Sequence, residues 1–284
     1  MTNVIACVDA HVHLHQCYDP DDLLQNAYDN LSAAVGNGGN GAAHERPIAY
    51  FLLLAECAPD DCFGALHDLA VGSSGTNGAS SLRLRHWTVA PTEEGISVVA
   101  RNGRQELFIV AGRQVACREG LEVLVLGTTH RFADGRPIRD VLRESDALGV
   151  PRVIPWGPGK WFFSRGRLLN DLVAEFRKPT LFLGDEGGRP VFWGYPQHFA
   201  HAARLGVRDL PGTDPLPFPH DVKKVGRMGI KVAIDLDPMR PGESLLRALT
   251  RAGAPPLERF AKLEPPLRFV RNQIGMQLRK RLHA

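Results

Sequence analysis

Two kinds of apolar pattern alternate along the chain: short unbroken runs and stripes with helical spacing. VIACVDA (4–10), AYFLLLAEC (49–57), LEVLVLGT (121–128), PRVIPWG (151–157), TLFLGDEGG (180–188) and GIKVAIDLD (229–237) are short, apolar and rich in β-branched residues, and read as buried strands. Between them, DPDDLLQNAYDNLSAAV (19–35), FGALHDLAV (63–71), RPIRDVLRESDALGV (136–150), SRGRLLNDLVAEFR (164–177) and HFAHAARLGV (198–207) repeat their apolar positions every three to four residues, as helices do. The first of these places acidic residues in its opening turn, where they complement the helix dipole. GNGGNGAAH (36–44) and GSSGTNGASS (72–81) read as loops.

Over residues 82–118 the runs become short and alternating, and the Asn-Gly in ARNGRQ signals a hairpin, so a β-rich excursion is expected there. Strands alternating with helices over the rest predict parallel βαβ units. The length then favours one α/β domain spanning 1–284, a distorted TIM-like β/α barrel with a hairpin-rich insertion. In the tail, Val270, Ile274, Leu278 and Leu282 stand at fourfold spacing and predict a helix over about 266–283, docked on the barrel by that stripe; the sharper alternative is a helix lying on a membrane surface.

Bulk properties narrow the function only slightly. With 44% hydrophobic residues the chain can bury a full core, and a formal charge of +3 gives no electrostatic reason to require nucleic acid or an anionic membrane. Cys7, Cys17, Cys57, Cys62 and Cys117 are odd in number and scattered, which reads as reduced thiols and not a disulfide framework. The N-terminus lacks a secretory pattern, and no apolar run reaches the ~20 residues that span a bilayer, so a cytoplasmic location is expected.

Candidate chemistry begins at VDAHVHLH (8–15). Side chains two apart on a strand share a face, so His11 and His13 project together, and His15 continues the same spacing. Adjacent imidazoles at a strand end suit a borderline cation such as zinc, manganese or iron, and Asp9 could orient a ligand from behind. In GDEGGRP (184–190), Asp185 or Glu186 could ligate an ion or accept a proton and Arg189 could clamp an anion; an internal Asp–Arg pair in a Gly-Gly turn is the competing reading. WGPGKWFFSRG (156–166) sets Trp156 beside Lys160 and Arg165, as a pocket for a sugar or phosphorylated substrate would or as a barrel end would. His130 is a further candidate at the mouth, His220 a weaker one, and His198 and His201 read as surface or packing residues.

DAHVHLH resembles the opening motif of the PHP (polymerase and histidinol phosphatase) family and, more distantly, the amidohydrolases. REGLEV (118–123) is similar to the family's Gly-Ile-Glu segment, and LPGTDPLPFPHDVKKVGRMG (210–229) to its late Gly-Ser-Asp-Ala-His segment. The resemblance implies a site for one or two divalent ions held by His11, His13, Glu122 and Asp214. Pro215 stands where the family has a His, and VIPWGPGKW (153–161) replaces a mid-chain His-Pro segment. The implied function is a metal-dependent hydrolase, first a phosphoesterase for a small anionic substrate, in which the ion lowers the pKa of a water toward ~7. Asp185, Asp214 and Lys160 are its catalytic candidates and Arg189, His130 and Trp156 its substrate-binding ones. The alternatives are an amidohydrolase-type cleavage of a C–N or lactone bond, with Asp214 as proton shuttle, and a non-catalytic accessory protein that binds a metal or saccharide.

Overall fold

In the computed structural model, which describes residues 1–36, 46–72, 82–255 and 257–282, the chain forms two β-sheets with helices on their outer faces. The larger sheet is built around β1 (Thr2–Val12). On one side of β1 runs β2 (Ile48–Leu54) in parallel, then β5 (Gln105–Val110), β4 (Ser97–Asn102) and β3 (Thr88–Pro91). On the other side lie β11 (Met228–Leu236) and β12 (Glu258–Ala261), both antiparallel to their neighbours. The smaller sheet takes the order β10 (Arg208–Asp209), β9 (Leu181–Gly184), β8 (Arg152–Pro155), β7 (Glu122–Leu126) and β6 (Gly112–Ala116).

The expected TIM-like barrel is not what forms: the two sheets do not close on each other. Antiparallel pairing of β1 with β11, β6 with β7 and β7 with β8 breaks the parallel series that such a barrel needs. Alternating strand and helix patterns mark where elements lie, and carry no information on strand direction.

Burial sorts the apolar runs into three cores. Val4, Ala6 and Val8 of β1 pack with Phe51, Phe108, Leu124, Val153 and Phe182 between the sheets. The outer face of the larger sheet is covered by α1 (Pro20–Gly36) and α2 (Cys62–Ala70), with Leu23, Leu31 and Phe63 buried against Leu52 and Ile109. Each such side chain is worth about 1.5–3 kcal/mol when fully buried. α3 (Ile138–Ala147), α4 (Phe163–Glu175) and α5 (Gln197–Arg204) cover the outer face of the smaller sheet in the same way. α6 (Pro241–Thr250) adds Leu245 and Leu249 to the core between the sheets.

At one end of the molecule the sheets meet. The Glu56 amide donates to the Gly112 carbonyl at 3.1 Å and the Gln114 amide to the Glu56 carbonyl at 2.8 Å. Gly112 permits the approach, since a β-carbon there would stand 2.2 Å from the Leu54 carbonyl oxygen. On the opposite side the Asp214 amide donates to the His11 carbonyl at 2.8 Å.

The tail is helical, as α7 (Pro266–Leu282), but it docks by a different face from the one expected. Val270, Ile274 and Leu278 are 51%, 57% and 55% exposed, whereas Asn272 is buried, Phe269 packs on Phe192 and Trp193, and Gly275 lies against Phe218. Fourfold spacing shows which residues share a face and leaves open which face meets the body. The side chain of Leu282, residue 283, and the loops at 37–44 and 73–81 lie outside the described residues.

Candidate metal centre

The centre grows from an irregularity in β1. The register against β2 shifts between Asp9 and Val12, so Val8 and Ala10 face the core between the sheets while Val12 joins the core under α1 and α2. A bulge of this kind re-aims side chains, and here it turns His11 and His13 together toward the end where the sheets meet. Both are buried, with ring centroids 5.0 Å apart, and His15 stacks on His13 at 5.2 Å.

Asp9 anchors this corner. Wholly buried, it accepts from the amides of Thr213 and Gly226 at 2.8 Å each, from the His11 amide at 3.3 Å and from the Thr213 hydroxyl. It therefore ties β1 to the segment carrying Asp214 rather than touching an imidazole side chain. Gly212 fits the same junction, because a β-carbon would fall 2.3 Å from the His11 nitrogen. Asp214 itself has φ +46°, a left-handed conformation tolerated by Asp at a cost and common at functional positions.

Three donor atoms converge. His11 Nε2 lies 3.0 Å from His13 Nε2 and 3.6 Å from Asp214 Oδ1, and His13 Nε2 lies 3.4 Å from the same oxygen. Donors about 2.1 Å from one tetrahedral ion stand about 3.4 Å from each other, so this spacing matches what a single cation needs. Gln114 Oε1 is 3.0 Å from His11 Nε2. His11 Nδ1 and Glu186 Oε1, 3.8 Å apart, are buried without a hydrogen-bond partner among the described residues. Unsatisfied buried polar atoms are costly; an ion on His11 Nε2 would leave Nδ1 as the ring N–H, on the side of Glu186 Oε1.

The local electrostatics follow from burial and close charges. Burial, aided by His13, pushes His11 down to about 4, which keeps this ring neutral and able to ligate. Burial would also lower His13, but hydrogen bonding to Asp214 raises it to about 10. Asp214, which burial alone would raise, is held far below the usual carboxylate range by His11 and His13. Glu186 is driven well upward by burial and by the Asp214 charge.

The other sequence candidates fall into separate settings. Glu122 is outside the group of donors that gather within 4.8 Å; its carboxylate accepts from Lys160 Nζ at 2.5 Å. Lys160, which burial would lower, is raised by the charges of Glu122 and Glu186, and it also feels Asp214. Asp185 is wholly buried, with Arg189 donating to both its oxygens at 2.8 Å and Arg259 to one at 2.7 Å. Arg189 Nη1 donates to the Trp193 carbonyl, so the internal Asp–Arg pair is the arrangement present. Trp156 is buried edge-on against Trp193. His130 is exposed beside Glu144 at 2.9 Å, His220 faces Asn272 at 3.3 Å, and His198 faces Asn170 at 2.9 Å. Gln114 and the Cys57 thiol, within hydrogen-bond reach of His13, were not singled out in the sequence. Neither belongs to a spaced motif; only the pairing of β6 beside the end of β2 reveals Gln114.

No protein-family model matches the chain, and no curated protein matches it. Among solved structures it is similar to PsfC from Pseudomonas syringae PB-5123, with a TM-score of 0.53 and 16% identity over 98% of this chain and 99% of that one. It is also similar to the lesion-specific endonuclease PfuEndoQ from Pyrococcus furiosus, with a TM-score of 0.46 and 12% identity over 90% of this chain and 57% of that one. The likeness to PsfC is one of fold, and it extends over nearly the whole of both chains.

Proposed function

We propose that the protein is a metal-dependent hydrolase that cleaves a phosphoester of a small anionic substrate, with His11, His13 and Asp214 holding a divalent cation. The observation that carries this reading is the convergence of those three donors, two of them buried, within 4.8 Å of one another. The DAHVHLH motif and its resemblance to the PHP family support the same choice of reaction. A bound divalent ion supplies Lewis-acid stabilisation of phosphoryl charge and acidifies a water.

The protein's own groups supply the rest. His11, kept neutral, and Asp214, kept ionised, are preset as ligands, and Gln114 fixes the His11 ring through Nε2 until an ion takes that position. Lys160 places a positive charge between Glu122, Glu186 and Asp214, where it offsets an incoming anion. Burial and the Asp214 charge favour the protonated form of Glu186, a proton source beside Asp214 for a leaving oxygen. A small cavity of about 40 Å³ next to Asp214 and Glu186 is roofed by Phe269 and Asn272 of α7 and by Pro158.

The test is metal analysis and phosphate release on the same preparation. Protein loaded with zinc, manganese or iron should release phosphate from a phosphoester panel, and His13→Ala should lose both the metal and the turnover. Cleavage of amides or lactones without phosphate release would overturn the phosphoesterase assignment, and metal-loaded protein inert toward every substrate would overturn the hydrolase.

A further inference from the structure

A second cavity, of about 310 Å³, opens beside the centre and is walled by Lys224, Arg227, Lys262 and Arg268. Its floor includes Gly187 and Thr213, each one residue along the chain from a group of the centre, Glu186 and Asp214. Consecutive Cα atoms are about 3.8 Å apart, so the two sites are neighbours. Glu264 lines both this cavity and the small one next to Asp214.

The charges do not balance. Lys224 is 5% exposed and is neutralised by Asp221 at 2.9 Å and by Glu264, which also approaches Arg268 at 3.4 Å. Those two carboxylates face four cations. Arg227 reaches only Asn30, at 3.4 Å, and among the described residues neither it nor Lys262 has a carboxylate partner. The main chain holds these two together, the Lys262 amide donating to the Arg227 carbonyl at 3.1 Å. Two guanidinium groups and two ammonium groups around one concavity, with an excess of two positive charges, form a receptor for a tetrahedral oxyanion.

We propose that this cavity binds a phosphate group, and that the substrate is a small molecule with two anionic groups: one cleaved at the centre, the other held by Arg227, Lys262, Arg268 and Lys224. The assignment of the second group rests on the hydrolase reading, whereas phosphate affinity of the cavity does not.

The experiment is calorimetric titration of inorganic phosphate into full-length protein stripped of metal with a chelator, at low ionic strength. Wild type should bind phosphate, and Lys262→Glu, a change at an exposed position, should weaken that binding at least tenfold, as should Arg227→Ala combined with Lys262→Ala. Lys223→Ala, on the same turn but outside the cavity walls, should leave it unchanged, and so should His13→Ala. Absence of phosphate binding by folded wild type, or binding lost in His13→Ala and retained in Lys262→Glu, would overturn the proposal. If phosphate still binds as expected but the protein takes up no metal, the hydrolase reading fails and the anion site stands.

Discussion

Asp185 and Glu186 are adjacent acidic residues, both buried, and they meet opposite fates. Asp185 has its oxygens filled by Arg189, by Arg259 and by the Glu186 amide, and Arg259 continues to Asp209. Glu186 points the other way, toward His11 Nδ1, with an oxygen that has no hydrogen-bond partner among the described residues. A buried charge with every lone pair occupied holds a fold together; a buried carboxyl left open beside a ring nitrogen marks a place for a ligand.

The largest expected effect breaks the closed side of this comparison. Asp185→Ala strands the Arg189 guanidinium in the interior and should cost about 3–5 kcal/mol of stability, read from urea unfolding. A loss under about 1 kcal/mol would show that the network is not structural. His13→Ala probes the open side. Metal affinity should fall by at least about 100-fold, measured by competition with a chromophoric chelator, while the metal-free protein stays folded, since the ring is spent on a ligand site.

Gln114→Ala is a gentler version of the same question. It removes the group that competes with an ion for His11 Nε2 and should raise metal affinity by about threefold, with the unfolding midpoint little changed. Proton linkage gives the smallest signal. His13, raised to about 10, carries a proton at pH 7 that a cation displaces, so about one proton should leave per ion bound and affinity should rise as pH approaches 10. Calorimetry in buffers of different ionisation enthalpy reads that proton. Binding that weakens as pH rises from 6 to 8 would contradict the assignment.

The sequence exposed some of this and hid the rest for physical reasons. The strand and helix patterns mark β1, β2, β7, β8, β9 and β11 and helices α1 to α5, because burial demands runs and stripes. The same patterns carry no strand direction, and so a barrel was expected where antiparallel pairs leave two sheets. His11, His13 and Asp214 are legible because a spaced pair and a late Asp resemble a known arrangement, and the structure brings these three together. Gln114 is not legible, since a lone amide in an alternating strand has no motif. In GDEGGRP the choice between Asp185 and Glu186 could not be made from residue type, because it depends on where Arg259, 74 residues away, delivers its guanidinium. In α7 the apolar stripe faces solvent because Phe269, Asn272 and Gly275 make the contact instead.

The most direct measurement is anomalous diffraction from crystals of the metal-loaded protein, collected on both sides of the absorption edge of the bound element. The account predicts one strong peak per chain within about 2.0–2.2 Å of His11 Nε2, His13 Nε2 and a carboxylate oxygen of Asp214. Metal-loaded crystals with no peak there, or with the ion held elsewhere while these three side chains remain hydrogen-bonded to one another, would contradict it.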